Sequence, residues 1–231
     1  MADIVSVFSD DFDRASLGTD WTAVETHGTV AIVDNKLEIN WLNAGDPDTV
    51  AYCQNTHAAL TTAPTYRRYR FEVTVDAAFT LPDTKILTLI FIEAADGTDC
   101  ALVRFQNAGG NYRLSLFDYG NSQTENTETG TFALGSTYYF ELRVYPDASS
   151  GGFDFLVYSD SSYSTEVSAL RLTYFGGISQ SRLPAKLTLG ELASATRDIS
   201  GAIRFDSLSI ADVYEFRDAS LNFIQLLGVN W

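Results

Sequence analysis

Cysteine and histidine are scarce in this chain of 231 residues, with two of each. Cys53 and Cys100 sit in strand-like contexts, AYCQN and DCALV, and read as buried thiols; an oxidising compartment would allow a single bridge between them. His27 and His57 cannot make a zinc site without distant help, and neither CxxC nor HExxH occurs. Basic residues are few as well. Fifteen Lys and Arg stand against 30 Asp and Glu, giving a formal net charge of −15 and a pI near 4.3. Such a balance opposes nucleic acid and an anionic membrane surface, because each phosphate contact wants a Lys or Arg. A neutral glycan or a cation remains compatible, and acidity also simply keeps a surface protein in solution.

Long apolar runs are missing too. No stretch approaches the ~20 residues of a membrane-spanning helix. The opening MADIVSVFSDDF has no basic region, a short apolar run and no small-residue cleavage site. The expectation is therefore no signal peptide, synthesis in the cytoplasm, and work on a virion or an extracellular particle. Helical periodicity is nearly absent before the C-terminus.

What the chain does contain is strand. Hydrophobic content of 45%, with 13% aromatic, is enough for a sizeable core. Lys85–Ala94, KILTLIFIEA, is apolar on both faces and reads as a central strand, with Ile86, Ile90 and Ile92 one way and Leu87, Leu89 and Phe91 the other. Arg70–Val75 alternates cleanly, Phe71, Val73 and Val75 inward. Asp34-Asn35 suits a hairpin turn between Val30–Val33 and Lys36–Trp41, where Leu37, Ile39 and Trp41 share a face. A second hairpin joins Tyr138–Tyr145 to Phe153–Tyr158, and a strand is expected over Thr165–Phe175. Near the end, Ile203 and Phe205 fall on one parity and Leu208 and Ile210 on the other. One extra residue at Asp206-Ser207, a β-bulge, would bring all four to one core. About a dozen short strands with no linker between them predict an all-β fold, a two-sheet antiparallel jelly-roll sandwich over residues 1–212. A short C-terminal extension, 213–231, follows.

The ends carry a resemblance. Phe8-Ser-Asp-Asp-Phe12-Asp13 with Leu17-Gly-Thr-Asp-Trp21 is similar to the opening of concanavalin A-like lectin/glucanase jelly rolls, and Gly201–Ile210 to their final strand. The hairpin Thr137–Tyr158 resembles the middle of laminin-G-like members. This resemblance implies fold and says little about function, since the architecture serves lectins, binding modules, hydrolases, lyases and viral surface proteins alike. It also implies a structural calcium where the first and last strands meet, with Asp11, Asp13 and Asp206 at the matching positions. The alternative is that these carboxylates cap turns and the bulge.

Hydrolysis of glycans needs two carboxyls about 5–9 Å apart. Glu72 and Asp76 share a face but stand about 13 Å apart at ~3.3 Å per residue. The E-x-D-x-x-E run of the hydrolase branch is absent, and so is GxSxG. Sugar binding would instead use exposed aromatics and amides. Trp41, Tyr119, Tyr139 and Tyr158 with Asn121 are the chosen residues; Tyr52, Tyr174, Asn107 and Gln123 are further candidates. The tail is rich in large apolar groups: Phe216, Leu221, Phe223, Leu226, Leu227 and Trp231. It either folds back on the sheet or docks on another subunit, self or partner. The preferred reading is a non-catalytic, lectin-like structural protein of an assembly, such as a virion decoration or tail component, with glycan contact as part of its work. A soluble carbohydrate-binding module and a glycan hydrolase or lyase without the usual motif are the alternatives.

Overall fold

Alternation along each strand decides which residues meet in the core. The computed structural model describes residues 2–26, 28–42, 50–118, 124–127, 130–148, 151–176, 178, 182–191 and 198–215. Fifteen strands run through these residues: β1 (Ala2–Asp10), β2 (Trp21–Thr26), β3 (Gly28–Val33), β4 (Lys36–Leu42), β5 (Val50–Thr56), β6 (Tyr66–Val75), β7 (Ile86–Ala94) and β8 (Asp99–Ala108). Then come β9 (Asn111–Asp118), β10 (Thr124–Thr127), β11 (Thr137–Tyr145), β12 (Gly152–Tyr158), β13 (Leu172–Phe175), β14 (Pro184–Glu191) and β15 (Ser200–Glu215). They form two antiparallel sheets packed as a sandwich. One runs β13-β12-β11-β6-β15-β4-β3, with β1 added on β15; the other runs β10-β9-β8-β7-β14-β5-β2. No described helix is long and apolar enough to cross a membrane.

The KILTLIFIEA segment is β7, at the middle of the seven-stranded sheet. Its two-faced parity differs from the expectation. The ladder to β8 slips between Thr88 and Ile90, so Leu87, Leu89, Ile90 and Ile92 all enter one core, while Phe91 is buried outside that cluster. The bulge in β15 lies where expected. Its pairing with β6 shifts between Asp206 and Ser209, and Ile203, Phe205, Leu208 and Ile210 are all buried. Asp34 and Asn35 take φ of 51° and 58°, the left-handed pair that a tight hairpin requires. Thr165–Phe175 is not one strand: a 3-10 turn, Ser168–Leu170, precedes the short β13. β15 also runs past Asp212 to Glu215, because Ala211–Glu215 pair with Ala2–Ser6 of β1.

Aromatic rings tie the sheets together. Phe105 of β8 meets Phe132 with ring centroids 5.3 Å apart, and Phe132 meets Phe140 of β11 at 6.1 Å. Phe140 in turn contacts Phe71 of β6, which contacts Phe205 of β15. Cys53 and Cys100 are both buried and are not bridged to each other.

Candidate functional site

The chosen sugar-contact residues have different fates. Trp41 is a core residue, 1% exposed and edge-on to Phe79, so it offers no face to a sugar. It shares the parity of Leu37 and Ile39, and the core takes all three. Tyr158 is 6% exposed and packs edge-on against Tyr163. Tyr139 is half-buried and stands directly across from Tyr158 in the β11–β12 ladder. Tyr119 and Asn121 lie outside the described residues.

Tyr139 belongs to a cleft of about 320 Å³ on the face of the eight-stranded sheet turned away from the core, lined also by Arg68, Arg70, Glu72, Tyr163, Ser161, Ser162, Ser207 and Ser209. Three strands supply its floor. β6 turns Tyr69, Phe71 and Val73 inward, which leaves Arg68, Arg70 and Glu72 outward. β11 contributes Tyr139, opposite Glu72, and β15 contributes Ser209, opposite Arg70. The rim is a loop between β12 and β13, and Asp160 builds it. Its carboxylate accepts from the backbone N–H groups of Ser162, Ser164 and Thr165 and from the hydroxyls of Ser162 and Ser164. Those bonds hold the Asp160 carboxyl well below the usual range, with the Ser162 bond the largest cause.

The loop sets Tyr163 above the floor. Its ring meets Tyr139 and Tyr158 edge-on, at centroid distances of 6.0 and 5.4 Å, and covers Arg70. Burial pushes the Tyr163 phenol up to about 12. Tyr163 and Ser207 are both left-handed, with φ of 54° and 51°. Two non-glycine residues held in that region within one cleft mark a place where local backbone comfort has been given up.

Charges on this face are mostly matched. Glu141 is fully buried, and its two oxygens take Arg70 and Arg143. Glu72 and Asp206 face each other across β6–β15 and share Lys36. Burial alone would lower the Lys36 pKa, but the hydrogen bond and charge of Glu72, with Asp206 behind it, raise it overall. On the other sheet, burial raises the Glu93 carboxyl, which accepts from Gln54 Nε2 at 2.7 Å. Glu191, also buried, accepts from the Thr88 N–H. Glu93 pairs with Lys186 in the β7–β14 ladder, so Glu191 lies five residues further along, about 16 Å away and outside glycosidase reach.

No family model matches the sequence, and no curated protein resembles it in sequence. Solved structures do match its shape. An endo-1,3-beta-glucanase from Streptomyces sioyaensis superposes with a TM-score of 0.60 at 10% identity, over 92% of this chain and 97% of that one. An alginate lyase from Pseudomonas aeruginosa gives 0.56 at 9% identity, over 82% and 87%. Lectin II from Ulex europaeus gives 0.54 at 8%, over 90% and 98%. The chain has the concanavalin A-like jelly-roll fold. At these identities the likeness concerns the fold alone, and two enzymes and a lectin share it.

The concanavalin A-like resemblance implied calcium at the junction of β1 and β15. A second cleft, about 350 Å³, does lie there, lined by Ser9, Asp10, Asp11, Arg14, Asp20, Ser207 and Leu208. Its most buried carboxylate, Asp10, is already committed to a cation, Arg14. The Arg14 guanidinium donates to both oxygens of Asp10, at 2.7 and 2.6 Å, and to the carbonyls of Ser16 and Leu17. Trp21 Nε1 and the Phe12 N–H complete the Asp10 carboxylate. Burial alone would raise the Asp10 pKa, but these bonds outweigh it and hold it below the usual value. Asp11 accepts from the Asp13 N–H, and Asp206 from the Ser207 N–H besides facing Lys36. Asp11 and Asp206 therefore act as turn and bulge caps, and with Asp13 they do not form a set that fits a calcium ion. Among the described residues no group of three or more acidic, His or Cys side chains converges to hold a metal. Phe216, Leu221, Phe223, Leu226, Leu227 and Trp231 lie outside the described residues.

Three features of the cleft escaped the sequence reading: Tyr163, the Ser161–Ser162 rim and Arg68. The spacing of Asp160 before Ser162, Ser164 and Thr165 is a readable signal for a capped turn.

Proposed function

We propose that this chain is a non-catalytic, lectin-like binding protein, a component of a larger assembly such as a virion decoration or tail, and that it holds a glycan in the β6–β11–β15 cleft. The observation that carries the reading is the pairing of Tyr163 and Tyr139 over a floor of serine hydroxyls and arginines. Aromatic faces suit pyranose rings, and the hydroxyls and guanidiniums suit their substituents. Structural neighbours that include a glucanase, alginate lyases and a lectin support a carbohydrate ligand. The assembly role rests on the apolar tail of the sequence.

A second reading, glycan hydrolysis, is favoured by one feature. Directly opposed residues such as Glu72 and Asp206 stand ~5 Å apart at Cβ, the order of spacing that a retaining glycosidase uses. Lys36 argues against it, since its ammonium already engages both carboxylates that would have to face the glycosidic bond. Calorimetric titration with a panel of oligosaccharides, followed by assay of the same mixtures for new reducing ends and unsaturated products, separates the two. Binding without cleavage is expected. Cleavage that disappears in Glu72→Gln would establish the second reading.

A further inference from the structure

We propose that the saccharide held in this cleft is acidic, a uronate or a sulfate ester, and that Arg68 is the residue that pairs with its anionic group. The inference rests on the glycan-binding reading above and narrows it to a chemical class.

Arg68 is the outlier among the guanidiniums of this face. On the outward side of β6 and β11, Arg70 stands opposite Glu141, but Arg68 stands opposite Arg143. Like charges directly across a ladder repel. Arg68, Arg70 and Arg143 thus cluster around the buried carboxylate of Glu141, and its two oxygens are taken by Arg70 and Arg143. Neighbouring carboxylates are engaged elsewhere: Glu72 and Asp206 by Lys36, Asp154 and Glu166 by Arg171. Arg68 is left in the cleft wall with no carboxylate on it among the described residues, and its Nε is buried without a hydrogen-bond partner. Burial and the adjacent Arg70 both lower its pKa, with Glu141 offsetting them only in part.

A half-desolvated guanidinium without a partner is costly. In a chain of net charge −15, carboxylates to quench it are plentiful, yet none is supplied among the described residues. The fork geometry of the group matches a planar carboxylate or a sulfate bidentately. Beside it, Tyr163, Tyr139 and the serines provide the ring face and hydroxyl partners that a lone phosphate or chloride would not use.

The test is titration calorimetry with oligomers of mannuronate, guluronate, galacturonate and glucuronate against their carboxyl-reduced counterparts, and with sulfated galactan oligomers against desulfated ones. Wild type should bind at least one acidic form about tenfold or more tightly than its neutral counterpart, a preference that weakens with salt. In Arg68→Gln that acid-to-neutral ratio should fall towards one, whereas Arg68→Lys should keep part of it. The preferred pair identifies the anion as carboxylate or sulfate. Arg68→Gln should also melt no lower than wild type, since it removes an unpaired charge facing Arg143. Equal affinity for acidic and neutral forms overturns the acidic class while leaving the glycan reading intact. An acid preference unchanged in Arg68→Gln overturns the assignment to Arg68. Binding of no saccharide overturns both readings.

Discussion

Tyr163 covers the guanidinium of Arg70, whose Cζ lies 4.2 Å from the ring centroid. This contact joins a loop that Asp160 organises to a strand that the core fixes, so the upper wall of the cleft depends on a few short-range bonds. Tyr163→Ala should weaken glycan binding about tenfold, or roughly 1.4 kcal/mol, with little change in melting temperature. Asp160→Ala should move affinity the same way by loosening the loop. Calorimetric titration beside thermal melts checks both, and a Tyr163→Ala protein with full affinity would remove the aromatic wall from the site.

At the other cleft, Arg14 supplies the positive charge. Arg14→Ala leaves the 7%-exposed Asp10 without its main partner, and should cost about 1–3 kcal/mol in chemical denaturation. Chelator and added calcium should both leave the melting temperature of the wild type unchanged. A rise in melting temperature with calcium would restore the metal to this junction. Asp10, whose folded pKa is depressed, contributes stability above its unfolded pKa near ~3.9, and that contribution is lost as pH falls through the lower folded value.

His57 gives a different pH signature. Its Nε2 lies 3.2 Å from the Tyr69 hydroxyl, its Nδ1 is buried without a partner, and burial with the Arg67 charge lowers its pKa from 6.5 to about 3. The unfolded chain therefore binds the proton more readily across this window. Stability is full above about 6.5 and declines as pH falls towards about 3. His57→Gln should flatten that slope in urea unfolding measured from pH 7 to pH 4. An unchanged slope would assign the acid sensitivity to the carboxylates.

The tail is the assembly element of the proposal. Val213 is 1% exposed and β15 is paired through Glu215, so a truncation should end after Glu215 and not after Asp212. The shortened chain should remain folded and run as a monomer in sedimentation, while the full chain runs as an oligomer. A truncated chain that unfolds would make the tail part of the domain.

Much of the fold was legible because period-two patterning is a direct record of burial. Leu37, Ile39 and Trp41 share one parity and all three are buried, so Trp41 was a core residue by the same rule that found its strand. The parity break before Leu208 located the bulge. In β7 the slip at Leu89 left no such mark, since apolar residues stand on both sides of it. Every residue of β12 is buried, which erases alternation and hid Tyr158. The cleft was harder to see. Tyr163 sits in a loop, where no periodicity speaks, and Arg68 looks like any polar residue of an alternating strand until its partners on β11 are known.

A crystal structure of the chain with the tightest-binding oligosaccharide tests the central claim most directly. The account predicts a sugar ring against Tyr163 and Tyr139, with its substituents on Ser207, Ser209 and Arg68. A saccharide seated on the opposite sheet, around Gln54 and Glu93, with the β6–β11–β15 cleft empty, would contradict it.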